Sequence, residues 1–202
     1  MRQKNLLRKG LPDDSEHFSN LILHSAGSVL PAFGLNASVI LKSLFINKSN
    51  LFSFQHCHFV LSDNNIAGMV LSYSYQAERK ERFKTGLLLF KCMKFNLLRR
   101  LHILSRVNAV FGELKTGAFY ISNIAVYPEY RGNSLAKELL KQVEVEAKEA
   151  GAKRLVLDVE ADKREAINLY LKTGFTSTKE TKSITIYDKP HHFYRMFKNL
   201  ST

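Results

Sequence analysis

Residues 119–159 constrain the fold more than any other part of this 202-residue chain. Phe119–Val126 is rich in aromatic and β-branched side chains and reads as a strand. Ser134–Ala150 follows as a helix, with Ala136, Leu139, Leu140, Val143 and Ala147 on one apolar face and Gly151 as its C-terminal stop. Leu155–Val159 is a short apolar run, read as a buried strand. Strand, helix, strand over this length makes a βαβ crossover, so the two strands are expected to be parallel. Ligands in open α/β sheets bind beyond the carboxyl ends of such strands. The turn Arg131–Ala136 lies at that end. A helix N-terminus there presents unpaired N–H groups, and Arg131 adds a guanidinium that can grip phosphate bidentately. Gly132 lets the backbone approach closely. The turn therefore reads as a site for a di- or polyphosphate.

Around this unit the chain reads as a single domain, residues 1–202, with a helical insertion at 77–110. Leu6–Lys9 is a short strand. Asp13 and Glu16 form a capping-box pattern for a helix reaching about Leu30, weakened at Gly27. Ala37–Asn47 is a second helix. His58–Leu61 and Ile66–Tyr75 flank the polar turn Ser62-Asp63-Asn64-Asn65 as a hairpin. The insertion is broken at Thr85-Gly86. Arg164–Thr173 is a helix stopped by Gly174, and Thr181–Tyr187 and Phe193–Phe197 are the last two strands. The net charge of +12 points to an anionic partner: nucleic acid, an anionic membrane surface or an anionic cofactor. No run is apolar enough for a membrane span, and the first residues carry no secretory signal. Cys57 and Cys92 look like reduced thiols, so the expected location is cytoplasmic.

Two blocks carry a family resemblance. Val126-Tyr127-Pro128-Glu129-Tyr130-Arg131-Gly132-Asn133-Ser134-Leu135-Ala136 resembles the acetyl-CoA signature of the GNAT superfamily of N-acetyltransferases. Ala166-Ile167-Asn168-Leu169-Tyr170-Leu171-Lys172-Thr173-Gly174-Phe175 resembles a second block of that superfamily, in its order and at about its spacing. The resemblance implies a mixed, mostly antiparallel sheet whose parallel central strands splay around acetyl-CoA as cosubstrate. It implies that Ile124, Ala125 and Val126 line the pantetheine arm, and that the N–H groups of Arg131, Gly132, Asn133, Ser134, Leu135 and Ala136 hold the pyrophosphate. Ser134 departs from the pattern, standing where Gly is common. Lys163 takes the place of a frequent Asn that touches the cofactor. Tyr170 is the implied acid that protonates the CoA thiolate; read from the chain alone, it is a half-buried helix aromatic packed on the sheet.

The resemblance further implies acetyl transfer to an amine by direct attack in a ternary complex. Many relatives place a basic Glu on the signature strand, where this chain has Ser122 and Asn123. Glu113, His58, His191 and His192 remain as candidate bases, alongside a water relay. His56 and His58 would share a face of a strand, but no partner ligand pair accompanies them, so no metal site is expected. The insertion carries nine lysines and arginines against Glu78 and Glu81. Its interleaved large hydrophobes are expected to lie on the sheet as a lid, with a basic patch as the rival reading. A non-catalytic acyl-CoA-binding or nucleic-acid-binding protein on the same scaffold is the alternative function, and a second copy of the chain is a candidate partner.

Overall fold

A computed structural model describes residues 5–26, 34, 36–93, 114–186 and 189–200. Among these, seven strands form one sheet: β1 (Asn5–Lys9), β2 (Cys57–Ser62), β3 (Asn65–Ser74), β4 (Ala118–Val126), β5 (Arg154–Glu160), β6 (Thr176–Ile186) and β7 (Lys189–Asn199). They stand in the order β1-β2-β3-β4-β5-β7-β6. The helices are α1 (Ser15–Ser25), α2 (Ala37–Ile46), α3 (Tyr75–Met93), α4 (Leu135–Glu149) and α5 (Arg164–Lys172). The last two strands are longer than their apolar cores suggest, because cross-strand pairing in the β6–β7 hairpin carries their polar ends. Tyr187 lies outside the described residues.

The expected crossover forms. β4 and β5 run parallel from Ala118↔Arg154 to Ile121↔Leu157, and every other described pair of neighbouring strands is antiparallel. Past that point β4 keeps its partner β3 as far as Gly68↔Val126, while β5 keeps β7 as far as Glu160↔Phe193. The inner edges of the two strands therefore part, leaving a gap between Ser122–Val126 and Asp158–Glu160. A register shift gives β4 an extra residue, Ser122, between Ile121 and Asn123, and such a bulge adds local twist where the gap opens.

Each face of the sheet is covered. Leu135, Leu139, Leu140, Val143 and Ala147 of α4 pack with Phe119, Ile121, Leu155, Leu157, Val159 and Tyr170. Leu135 replaces Ala136 in the buried set, since the helix begins one residue later than expected and Ala136 is only half-buried. On the opposite face Phe18, Leu21 and Ile22 of α1 and Leu41 and Phe45 of α2 cover Phe59, Met69, Leu71 and Ala125. The β2–β3 turn takes positive φ at Asp63 (49°) and Asn64 (67°), the form that matches strand twist in a two-residue hairpin.

Two local expectations fail. Asp14, not Asp13, stands at the start of α1, and a 3-10 turn over Pro12–Asp14 precedes it. The Asp14 carboxylate accepts from the Leu11 N–H at 2.7 Å and from both terminal nitrogens of Arg8 at 2.7 Å, which ties β1 to that turn. The described part of the helix ends at Ser25, and residues 27–30 lie outside the described residues. Helix α3 runs unbroken through Thr85-Gly86. Buried Thr85 bonds the Glu81 carbonyl at 2.9 Å and accepts the Leu51 N–H at 3.0 Å, so tertiary contact offsets the weak helix propensity there. The remainder of the insertion, residues 94–110, and the candidate base Glu113 beyond it lie outside the described residues.

Candidate active site

The turn Arg131–Ala136 stands at the carboxyl end of β4, past a short 3-10 turn over Pro128–Tyr130. Gly132 has φ +85° and Ser134 has φ +60°, both left-handed. An added Cβ at Gly132 would meet no protein atom within 4 Å, so this glycine serves backbone conformation, with open space beyond it. Ser134 holds the same left-handed region at a cost of roughly 1 kcal/mol, a conformation that Gly adopts without that strain. Among the described residues the N–H groups of Gly132, Asn133, Ser134, Leu135 and Ala136 meet no protein acceptor, whereas that of Arg131 donates to the Pro128 carbonyl at 3.2 Å. The turn thus offers five free donors rather than six. Arg131 is exposed and its Nε donates to the Val126 carbonyl at 3.4 Å; its two terminal nitrogens meet no described partner.

Ile124 and Val126 turn toward the α4 side of the sheet and Ala125 toward α1, as strand alternation requires. Asn123 donates to the Ser25 hydroxyl at 3.4 Å, and Ser122 bonds both Asn123 (3.2 Å) and the Tyr73 phenol.

Tyr170 projects from α5 into the core below β5 and is 6% exposed. Two bonds fix it. Gly174, at φ +91°, lets the chain reverse so that its N–H reaches the Leu171 carbonyl (3.1 Å) and the Phe175 N–H reaches the Tyr170 carbonyl (3.0 Å). Phe175 then lies against the Tyr170 ring, centroids 5.7 Å apart. The Gly-Phe end of the second block is therefore what positions its tyrosine. The Tyr170 hydroxyl has no partner among the described residues, yet it is not wholly sealed from solvent. Burial raises its pKa well above the usual phenol range, which keeps it protonated at neutral pH.

The other wall of the gap is polar. Leu155, Leu157 and Val159 face α4 and α5, so Asp158 and Glu160 face the opposite side. Asp158 has no exposed side-chain surface; it accepts from Arg195 at 2.9 and 2.7 Å and from the Tyr120 hydroxyl at 3.1 Å. Glu160, at the end of β5, lies 3.4 Å from Nδ1 of His191 and 4.0 Å from Nζ of Lys163. Lys163 is the N-cap residue of α5 and is mostly exposed. Sequence reasoning missed Asp158 and Glu160 because they sit in a strand recognised by its apolar positions alone.

The other candidate bases lie elsewhere. His58 is buried on β2 beneath α4, 3.3 Å from Glu146, and burial lowers its pKa to about 4. His192 bonds Ser183 at 2.8 Å on the outer hairpin. His56 does not share a strand face with His58: it sits in a 3-10 turn and bonds Glu81 of α3 at 2.7 Å. A shallow cleft of about 430 Å³, lined in part by Arg8, His17, Asn64, Tyr127 and Tyr130, also lies at this end of the sheet. Its lining contains nothing from β5 or α5, so it is outside the gap.

A splayed parallel pair with a donor-rich turn at its mouth is the architecture of the acyl-CoA-dependent acetyltransferases. Residues 39–175 match the acetyltransferase (GNAT) family, and the chain belongs to that family of acetyltransferase enzymes. It is similar in fold to the crystal structure of an N-acetyltransferase from Staphylococcus aureus Mu50, at TM-score 0.69 and 21% identity over 95% of this chain and 99% of the other. It also resembles the ribosomal-protein-S18-alanine N-acetyltransferase from Escherichia coli, at TM-score 0.59 and 15% identity over 98% and 96%. A Bacillus subtilis (strain 168) protein named as a ribosomal protein bS18-alanine N-acetyltransferase is 44% identical over 54 residues, or 27% of this chain. That match spans 36% of the relative's length.

Proposed function

We propose that the protein moves an acetyl group from acetyl-CoA to a primary amine by direct attack in a ternary complex. The observation that carries this reading is the gap between β4 and β5 with five unused N–H groups at its mouth; Tyr170 packs on the α4 face of the sheet, and Glu160, near His191, on the other. The N–H groups of Gly132–Ala136 bind the pyrophosphate, and the terminal nitrogens of Arg131 pair with its oxygens. The unpaired edge of β4 at Ile124–Val126 binds the pantetheine amides, and a backbone N–H there polarises the thioester carbonyl. Lys163, held near Glu160, borders the cofactor.

The base in this scheme is His191. Glu160 holds its Nδ1, which leaves Nε2 to take a proton from the incoming amine. The amine nitrogen bonds to the carbonyl carbon as the carbon–sulfur bond breaks, and Tyr170 gives its proton to the departing thiolate. Acid and base act from opposite faces of the sheet, so neither obstructs the other. The 54-residue similarity to a bS18-alanine N-acetyltransferase makes a peptide N-terminal amine the first acceptor to assay. The free thiols Cys57 and Cys92 fit a cytoplasmic location.

Two measurements test this. Arg131→Ala weakens acetyl-CoA binding by about 1.5–3 kcal/mol in calorimetry, the scale of a charge-assisted contact; undiminished binding removes Arg131 from the site. His191→Gln lowers kcat roughly 10²-fold or more, with acetyl-CoA affinity unchanged. An unchanged kcat assigns the proton to the water relay instead. Thiol release with a panel of amines distinguishes catalysis from the rival reading, a non-catalytic acyl-CoA- or nucleic-acid-binding protein, which the absence of a carboxylate at Ser122 and Asn123 favours.

A further inference from the structure

Helix α3 has two apolar faces, and only one is in the core. Leu88, Leu89, Cys92 and Met93 pack with Ile40, Leu44 and Phe52. Its acids also turn inward: Glu78 is buried against Arg82, and Glu81 bonds His56 at 2.7 Å. On the opposite side Phe83 is 82% exposed, Leu87 45% and Phe90 53%. Their spacing of four and then three residues aligns them in one row along the helix. This corrects the expectation that the hydrophobes of the insertion all lie on the sheet.

The fringe of that row is cationic. Lys80, Lys84 and Lys91 are exposed and lie along its one side by the same helical spacing; exposed Arg79 lies on the other, its guanidinium 5.9 Å from the Tyr75 ring centroid. Among the described residues of α3 no acid shares this face, which suits a partner that supplies negative charge. Two phenylalanines of about 150–250 Å² each and one leucine fall short of the roughly 800 Å² per partner that a stable protein interface needs. A lipid surface has no such threshold, because binding scales with inserted apolar area plus attraction to anionic headgroups. Lysine stems can lie along the apolar row while their ammonium groups reach headgroup phosphates.

We propose that the outer face of α3 docks on an anionic membrane surface, with Phe83, Leu87 and Phe90 entering the interfacial layer. Among the described residues no helix is long and apolar enough to span a membrane, so the contact is peripheral. It does not depend on the acetyl-transfer reading, and none of its residues belongs to that site.

The test is partition of the full chain onto phosphatidylcholine vesicles with and without phosphatidylglycerol. Binding is expected only with phosphatidylglycerol. Replacing Lys80, Lys84 and Lys91 together by Gln weakens it about a hundredfold, near fivefold for each lysine. The chain has no tryptophan, so Phe83→Trp gives a clean reporter whose emission shifts to the blue on anionic vesicles. Thermal melting confirms that each variant folds. Failure to partition, or a Phe83→Trp emission that stays that of an aqueous indole on the vesicles, overturns the proposal. So does RNA binding lost with the three lysines in the absence of vesicle binding, or self-association through this face seen in sedimentation.

Discussion

Tyr170→Phe is expected to lower kcat by roughly 10²–10⁴-fold while leaving acetyl-CoA affinity almost unchanged. The substitution keeps the ring against Phe175 and the two backbone bonds around Gly174, so packing and stability are retained. What it removes is the phenolic proton. If Tyr170 is the acid, the CoA thiolate of the variant leaves unprotonated into a site of low dielectric, where burial disfavours the anion. The loss belongs to the chemical step, so it appears in kcat and kcat/KM together when free CoA is followed at saturating acetyl-CoA. A variant with full kcat would return Tyr170 to a packing role. Thermal unfolding gives the control, since a fall in Tm would mean that the hydroxyl also serves stability.

The second large effect concerns Asp158. Its carboxylate is fully buried and accepts two bonds from Arg195 and one from Tyr120. Asp158→Ala removes all three, takes the carboxylate away from Arg195, and leaves the Tyr120 hydroxyl without this acceptor beside Tyr73 and Val156. Losing one partner of a buried pair costs about 3 kcal/mol or more, which in a chain of this size lowers Tm by roughly 6–12 °C. Asp158→Asn keeps the shape and an acceptor, so it should lie between the wild type and Asp158→Ala. Equal Tm for all three proteins, by calorimetry, would show that water replaces the carboxylate and that the pair contributes nothing to the fold. Because Asp158 sits one alternation before Glu160 on the same wall, its loss should also loosen the His191 pair and lower activity.

The contrast between these residues marks what could be read before folding. Tyr170, Gly174 and Phe175 belong to one local block, and their relation follows from helix geometry and a left-handed glycine. The crossover over 119–159, the turn at Arg131–Ala136 and the Asp63–Asn64 hairpin are legible for the same reason: each depends on neighbours within a few residues or on one helical period. Even the errors there are small, such as the start of α4 at Leu135 rather than Ser134, or Asp14 in place of Asp13.

Asp158 and Glu160 were not legible, because their meaning comes from β7, more than thirty residues away, which places Arg195 and His191 beside them. The unbroken course of α3 through Gly86 was hidden for a similar reason, since its support is Leu51 on a distant loop. The sequence by itself determined the family, the parallel pair and the turn at Arg131–Ala136, through local periodicity and backbone conformation. Only the tertiary structure decided which side chains face the gap and which row of α3 stays in water, since burial and charge pairing arise when segments far apart in the chain come together.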